Sequence, residues 1–167
     1  VVREIVPVKD KNGKSVYKEE HDFEFGKAKT RQRYKSDILP PILVIARYFA
    51  EQQQTLDELQ SQLEAATQAL ESYVEEHSGD EGLVEEAKND KGKVSKKTIT
   101  DRIKATSDAD EIAALKQCLT LVNTEAKAKS AVKAARDELD ILVFKKIPTI
   151  PEDELKTRLI ARAEVSG

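Results

Sequence analysis

The sequence predicts a mainly α-helical protein built around a long antiparallel helical hairpin or coiled coil, with short connecting helices and a small N-terminal β-hairpin. Apolar residues recur at heptad spacing in two long segments. Charged residues make up 35% of the chain and aromatic residues only 5%, a composition typical of long exposed helices around a thin core. The dipeptide Asn12-Gly13, with β-branched residues on either side, indicates a tight turn between two strands.

Residues 1–40 are expected to form the β-hairpin and then a basic connector. Asn12-Gly13 suits a hairpin turn because both residues tolerate positive φ. Pro7 limits the first strand to the edge of a sheet because proline has no N–H to donate. The connector ends at Pro40 and Pro41 and carries five basic residues within nine positions. The five are Lys27, Lys29, Arg31, Arg33 and Lys35.

The first long helix is predicted at about residues 41–76. Pro41 suits the first turn of a helix, where its missing N–H is no loss. The apolar positions then follow two heptad seams, which form the clearest pattern in the sequence. One seam contains Ile42, Phe49, Leu56, Leu63 and Leu70, and the other contains Ile45, Gln52, Leu59, Ala66 and Tyr73.

The second long helix is predicted at about residues 109–146. Asp108 and Glu111 have the spacing of a capping box, and Pro148 disfavours helix in the residue before it. A short helix capped by Ser95 precedes it, and a last helix is expected to begin near Pro151. The two long helices are expected to fold back on each other, so that residues 41–167 form one helical arm. The apolar positions of the second helix are Ile112, Leu115, Leu119, Leu121, Val122, Ala128, Val132, Ala135, Leu139 and Leu142.

The sequence contains no recognisable catalytic, cofactor-binding or metal-binding motif. Its glycines do not form a nucleotide-binding loop. His21, His77 and Cys118 are isolated from one another in the sequence, so no zinc-ligand spacing exists. Cys118 lies on an apolar stripe and is interpreted as a core residue, because a nucleophile would need a positioned base. We therefore assign no catalytic, cofactor or metal residue to this chain.

Charge and cysteine content bear on partners and location. The net charge of −3 comes from nearly balanced acids and bases, so there is no overall attraction to nucleic acid or to anionic membranes. One cysteine cannot form an internal disulfide, and no apolar run is long enough to span a membrane. These features predict a cytoplasmic protein with no membrane contact. The chain begins at Val1 and contains no Met, so we expect it to be a fragment of a longer protein.

Three motifs carry a resemblance to a known family. LPPILVIARYF opens the first long helix at residues 39–49, KGKV follows an acidic turn at residues 91–94, and PTIPEDELK, a Pro-x-x-x-x-Asp-Glu-Leu-Lys motif, follows the second long helix at residues 148–156. With these motifs the chain from Lys27 onward resembles the C-terminal part of the modification (M) subunit of type I restriction-modification systems. Arg47-Tyr48-Phe49 and Lys91-Gly92-Lys93-Val94 carry most of the specificity of this match.

The resemblance implies that the parent is an S-adenosylmethionine-dependent DNA methyltransferase that modifies adenine N6. It also implies two partners, a specificity subunit and a restriction subunit, with DNA reached through the complex. The family's catalytic Asn/Asp-Pro-Pro-Tyr/Phe motif and its Gly-rich cofactor motif are missing here, since the only Pro-Pro follows Leu39. The chain is therefore expected to be a docking arm for the specificity subunit. The expected docking residues are Ile42, Ile45, Phe49, Leu56, Leu59, Leu63, Leu70, Leu115, Leu119, Val132, Leu139 and Leu142.

Two other functions stay open from the sequence. In a purely structural coiled coil, the seams would be covered within the chain or by a homodimer. Alternatively, the basic segment 27–35 would contact DNA phosphates through its lysines and arginines, with an affinity that falls steeply as salt rises.

Overall fold

The computed structural model describes residues 2–37 and 39–154 of the chain. Its contacts divide the chain into two compact units. Unit 1 contains the residues up to Gln54 and those from Arg136 onward, and unit 2 is Thr55–Ala135. Each unit has its own buried core, and the two are described separately below.

Five short strands form two small antiparallel sheets in unit 1. A three-stranded sheet has the order β1-β5-β4, and β2 pairs with β3 in a separate two-stranded hairpin. The predicted edge position of the first strand is confirmed, because β1 has a neighbour on one side only. The strands are β1 (Val2–Ile5), β2 (Val8–Lys9), β3 (Ser15–Val16), β4 (Phe23–Phe25) and β5 (Gln32–Ser36).

The predicted hairpin turn at Asn12-Gly13 is confirmed. Gly13 has a φ of 75°, and its N–H donates to the carbonyl oxygen of Asp10 at 3.0 Å. The Asp10 carboxylate also accepts hydrogen bonds from the N–H groups of Asn12 and Lys14, each at 2.8 Å. The side chain of Asp10 therefore organises this turn from inside, which is a frequent role of aspartate in tight turns.

The sequence interpretation of residues 27–35 as a connector is wrong for its second half. Residues from Gln32 onward form β5, the central strand of the three-stranded sheet. Tyr34 lies opposite Glu4 of β1 and Phe23 of β4. Because side chains alternate along a strand, Tyr34 points to one face of the sheet while Arg33 and Lys35 point to the other. This arrangement lets a strand rich in positive charge occupy the middle of a small sheet.

Within the described residues, five α-helices follow the strands. They are α1 (Pro41–Tyr48), α2 (Ala50–Glu76), α3 (Lys96–Ala105), α4 (Ala109–Lys146) and the single turn α5 (Glu152–Glu154). Short 3₁₀ turns lie at Ala28–Thr30, Glu85–Ala87 and Ile147–Thr149. The predicted bounds of the second long helix agree with those of α4. The predicted last helix begins at Glu152, and its remainder lies outside the described residues.

A ring cluster joins the C-terminal end of α4 to the sheet of unit 1. Phe144 lies edge-on to three rings, with centroid distances of 5.5 Å to Phe23, 5.1 Å to Phe25 and 4.9 Å to Tyr34. Phe144 is the centre of the cluster, and Phe23 is its most buried phenylalanine of the sheet, at 1% exposed. Edge-on geometry is favourable for aromatic pairs because the positive ring edge meets the negative ring face. Aromatic packing therefore fixes the sheet against the helix.

The first long helix is not continuous, which corrects the prediction of one helix from 41 to 76. Phe49 separates α1 from α2 and has a φ of −130° and a ψ of 32°, outside the helical range. Its N–H still donates to the carbonyl oxygen of Ile45, and its own carbonyl oxygen accepts from Gln53. The interruption is therefore confined to a single residue, and the predicted C-terminal end of the helix, Glu76, is correct.

In unit 2, helices α2 and α4 pack together as an antiparallel pair. The hydroxyl group of Tyr73, near the end of α2, donates to the carbonyl oxygen of Ala114, near the start of α4, at 2.9 Å. Leu70, Tyr73 and Val74 of α2 pack against the buried core of this unit. The predicted helical hairpin is confirmed. The core itself consists of Val84, Ala87, Ile99, Leu115 and Cys118.

Helix α3 lies in the segment that connects the two long helices, and it packs against this core. Ser95 caps it as predicted, since its hydroxyl accepts from the N–H of Thr98 and the Thr98 hydroxyl accepts from the N–H of Ser95. At its other end Arg102 forms an ion pair with Glu111 of α4. Ile99, on the inner face of α3, is fully buried.

Candidate docking surfaces

Four of the twelve expected docking residues are covered by the chain's own packing. Leu56 and Leu115 are 5% and 0% exposed, and Val132 and Leu139 are also buried. A side chain in this position has already lost its contact with water, so a partner gains nothing by covering it. Some seam residues thus belong to the core of the chain. The heptad pattern alone did not distinguish these core residues from docking residues.

The other expected docking residues of unit 2 keep part of their surface. Leu70 and Leu119 are half-buried and pack against the core of the unit. Leu59 and Leu63 are half-buried on α2. Leu56 is the one fully buried residue of this 27-residue helix. The middle of α2 therefore presents a stripe of incompletely covered leucines.

In unit 1 the expected docking residues are open to different degrees. Ile42 is 71% exposed on α1, whereas Ile45, Phe49 and Leu142 are half-buried. Ile141 on α4 is 41% exposed and was not among the expected residues. It falls outside both heptad seams, so only its exposure in the folded chain reveals it.

Two of the five expected DNA-contacting residues, Arg33 and Lys35, are engaged by neighbouring groups on the face of the sheet opposite Tyr34. The guanidinium of Arg33 donates to the Glu24 carboxylate at 2.7 Å and lies 4.2 Å from the centroid of the Tyr17 ring. The ammonium group of Lys35 lies 3.4 Å from the carbonyl oxygen of Glu20. Hydrogen bonding to Arg33 lowers the pKa of the Glu24 carboxyl, which therefore stays ionised at neutral pH.

The other three basic residues lie in the loop between β4 and β5. Arg31 pairs with Glu24 at 3.3 Å, so one carboxylate serves two arginines. Lys27 and Lys29 are exposed. The segment 27–35 is therefore less available to phosphates than its sequence indicates. Glu24 pairs with two of its arginines, and the carbonyl oxygen of Glu20 lies beside Lys35.

Charge is unevenly distributed in the helices and turns of unit 2. Helix α2 contains seven carboxylates and no lysine or arginine, and the acidic run continues through Glu86. The positive charges of the unit begin only at Lys88. Four lysines then occur without any acid between residues 91 and 100, and all four are exposed. A shallow, open depression of about 540 Å³ lies beside them, lined by Lys96, Asn123, Ala126, Lys127 and Ser130.

The isolated groups considered for chemistry occupy structural positions. Cys118 is fully buried, and this burial raises the pKa of its thiol, which disfavours the reactive thiolate. The Nδ1 atom of His77 lies 2.8 Å from the carbonyl oxygen of Tyr73, and the two rings stack at 4.1 Å. Within residues 2–37 and 39–154, no group of three or more His, Cys, Asp or Glu side chains is arranged to hold a metal ion.

None of the helices in the part of the chain that the structure describes is both long enough and apolar enough to cross a membrane.

Comparison with known proteins gives no match of any kind. No protein-family model, no curated protein and no solved structure matches this chain.

Proposed function

We propose that this chain is the C-terminal docking arm of a type I restriction-modification M subunit and binds the specificity subunit through the apolar stripe of α2. The motifs at residues 39–49, 91–94 and 148–156 support the family assignment. The surface of α2 supports the docking role. In this proposal adenine-N6 methylation and binding of S-adenosylmethionine belong to other parts of the parent. The restriction subunit and DNA join through the assembled complex.

The observation that carries the proposal is the incomplete burial of α2. The helix extends about 40 Å, yet only Leu56 is fully buried along it. Leu59 and Leu63 lie one and two turns further on and remain half-buried. A partner with a long helix of its own would complete the burial of these leucines in a bundle of three or four helices.

The two leucines supply only part of the binding energy. Full burial of a leucine contributes about 1.5–3 kcal/mol relative to full exposure. Leu59 and Leu63 are already mostly covered, so completing their burial contributes less than about that amount in total, and further contacts must offset the entropy lost on association. The exposed face of α2 is acidic and has no basic residue, so we expect basic side chains on the partner beside the apolar contact.

The test measures the mass of the complex by light scattering after mixing the chain with the specificity subunit encoded beside its gene. We expect a joint complex with the unchanged chain and its loss with Leu59→Asp, because a charge would be placed in the apolar contact. Ser61→Asp is the matched control: Ser61 is exposed on the same helix, so the same side chain is added outside the stripe.

Leu139→Asp does not serve as a docking test, because Leu139 is 3% exposed and the variant would disturb the fold itself. Separate masses for the unchanged chain and the specificity subunit would contradict docking. A mass that rises with concentration in the absence of the subunit would favour the alternative, a homodimer. Equal assembly by the Leu59→Asp and Ser61→Asp variants would remove α2 as the contact.

A further inference from the structure

We propose that unit 2 carries a contact site for the phosphates of duplex DNA, separate from the basic segment 27–35. This site does not depend on the docking function. It consists of Lys91, Lys93, Lys96, Lys97 and Lys127.

The first support is a concentration of exposed lysines. The ten residues from Lys91 to Thr100 contain four exposed lysines and no acidic residue, and Asp90 and Asp101 flank them. By contrast, the preceding Lys88 forms an ion pair with Glu85 at 2.9 Å. Four exposed lysines outnumber the two flanking aspartates, and neutralising DNA phosphates with such charges releases condensed counterions.

The second support is that the backbone carrying these lysines is ordered by local hydrogen bonds. The side-chain oxygen of Asn89 accepts from the N–H groups of Lys91, at 2.9 Å, and Lys93, at 3.1 Å. The capping box at Ser95 then fixes the start of α3, where Lys96 and Lys97 are the first two residues. The chain therefore presents the four side chains from defined positions, which reduces the entropy lost on binding.

The third support is the depression between α3 and α4. Lys96 and Lys127 line it from the two helices, together with Asn123 and Ser130. The polar ends of these side chains are ammonium, amide and hydroxyl groups, all of which donate hydrogen bonds. Among the residues that the structure describes, no carboxylate lines it. A concave surface bordered by donors suits a phosphate group, which offers only acceptors at its charged oxygens.

The composition of this region selects the duplex backbone over other anionic partners. The sequence has no Phe, Tyr or Trp between Tyr73 and Phe144. Stacking on single-stranded bases needs aromatic rings, and insertion into a membrane interface needs an apolar or aromatic face beside the lysines. The proposed site contains no arginine, and the nearby Arg102 of α3 is paired with Glu111. We therefore expect contacts that are independent of DNA sequence.

The experiment measures binding to a short labelled DNA duplex by fluorescence anisotropy, at salt concentrations from about 50 to about 200 mM. We expect substitution of the four lysines of residues 91–97 by glutamine to weaken binding. The slope of log affinity against log salt should become shallower by about 3.6, which is four contacts at about 0.9 each. The control removes four exposed lysines from residues 9–18 of unit 1 and should leave the slope unchanged. The test variant is Lys91→Gln/Lys93→Gln/Lys96→Gln/Lys97→Gln, and the control is Lys9→Gln/Lys11→Gln/Lys14→Gln/Lys18→Gln.

A second variant, Lys127→Gln, tests the depression from α4 and should reduce the slope by about 0.9 without altering the Asn89 turn or the Ser95 cap. Circular dichroism checks that helix content is kept, which is expected because lysine and glutamine have similar helix propensities. Three outcomes would overturn the site. They are no binding by the unchanged chain at the lowest salt, equal losses in the test and control variants, and binding to anionic lipid vesicles but not to the duplex.

Discussion

The hydroxyl group of Tyr73 donates a hydrogen bond to the carbonyl oxygen of Ala114 and so joins the end of α2 to the start of α4. A side chain of one helix here contacts the backbone of the other, 41 residues away along the chain. Burial raises the pKa of the Tyr73 hydroxyl, which therefore keeps its proton and remains a donor up to high pH.

Tyr73→Phe should destabilise the chain by about 0.5–1.5 kcal/mol, the usual net contribution of one hydrogen bond. The ring and its stacking on His77 are retained, so only the hydroxyl contact is removed. Urea unfolding followed by circular dichroism measures the change. A variant as stable as the unchanged chain would show that this hydrogen bond does not contribute to the pairing of the helices.

Ile99→Ala should destabilise unit 2 by about 2–5 kcal/mol, because it leaves a cavity beside the buried core. Ile99 is fully buried and packs in the same cluster as Leu115 and Cys118. Leu83→Ala is the comparison. Leu83 is 37% exposed, so its substitution should lower the free energy of unfolding by less. Hydrogen exchange should localise the weakening to unit 2. Equal losses from the two variants would contradict the burial difference.

Phe144→Leu should destabilise unit 1 by about 1–3 kcal/mol, since three edge-on ring contacts are lost while an apolar side chain is kept. We expect the near-ultraviolet circular dichroism signal to fall and amide exchange in β5 to quicken. Ile141→Leu, three residues earlier on the exposed side of α4, should change neither. Unchanged protection of β5 in the Phe144 variant would mean that the sheet does not need the ring cluster.

The ion pair between Arg102 and Glu111 should make stability depend on pH at the acidic end. Hydrogen bonds from Arg102 and then from Thr106 lower the pKa of the Glu111 carboxyl. A lowered pKa in the folded state stabilises the fold fully above the ordinary glutamate value of about 4.3. The benefit is lost as pH falls through the folded value.

We therefore expect Glu111→Gln to be less stable than the unchanged chain at neutral pH, with a difference that shrinks as pH falls below the ordinary glutamate range. Urea unfolding over a pH series measures this difference. Glu64→Gln, an exposed substitution on α2, should change the free energy of unfolding by no more than about 0.5 kcal/mol at every pH of the series. If the stability difference between Glu111→Gln and the unchanged chain persists at low pH, the effect of the substitution comes from packing and not from charge.

The sequence predicted the long helices well because their signals are local. The heptad seams, the acidic residues at Asp108 and Glu111, and Pro148 after the end of α4 each act within a few residues. Interruption of the first helix at Phe49 was missed, since no glycine or proline marks it and the seam continues through it. Strand β5 was missed because its positive charges indicated an exposed connector. Glu24, which pairs with Arg31 and Arg33, comes from the neighbouring strand β4, and the sequence does not show that pairing.

The docking residues could be predicted only as a set, because the same heptad pattern describes both core and interface positions. Leu59 and Leu139 look alike in the sequence, yet one is half-buried and the other is 3% exposed. Which positions of a seam are covered depends on where the second helix begins and on what α3 adds beside it. Spacing along a single helix does not contain that information.

The charge content of α2 also sets an order for folding. Like charges four residues apart, such as Glu71 and Glu75, oppose helix formation, and α2 has no lysine or arginine to offset them. Helix α4 instead has many alanines and the pair Glu125–Lys129 at 3.1 Å. We expect α4 to become helical first and to supply the surface on which α2 forms. During synthesis α2 is therefore expected to stay largely unstructured until α4 has emerged from the ribosome.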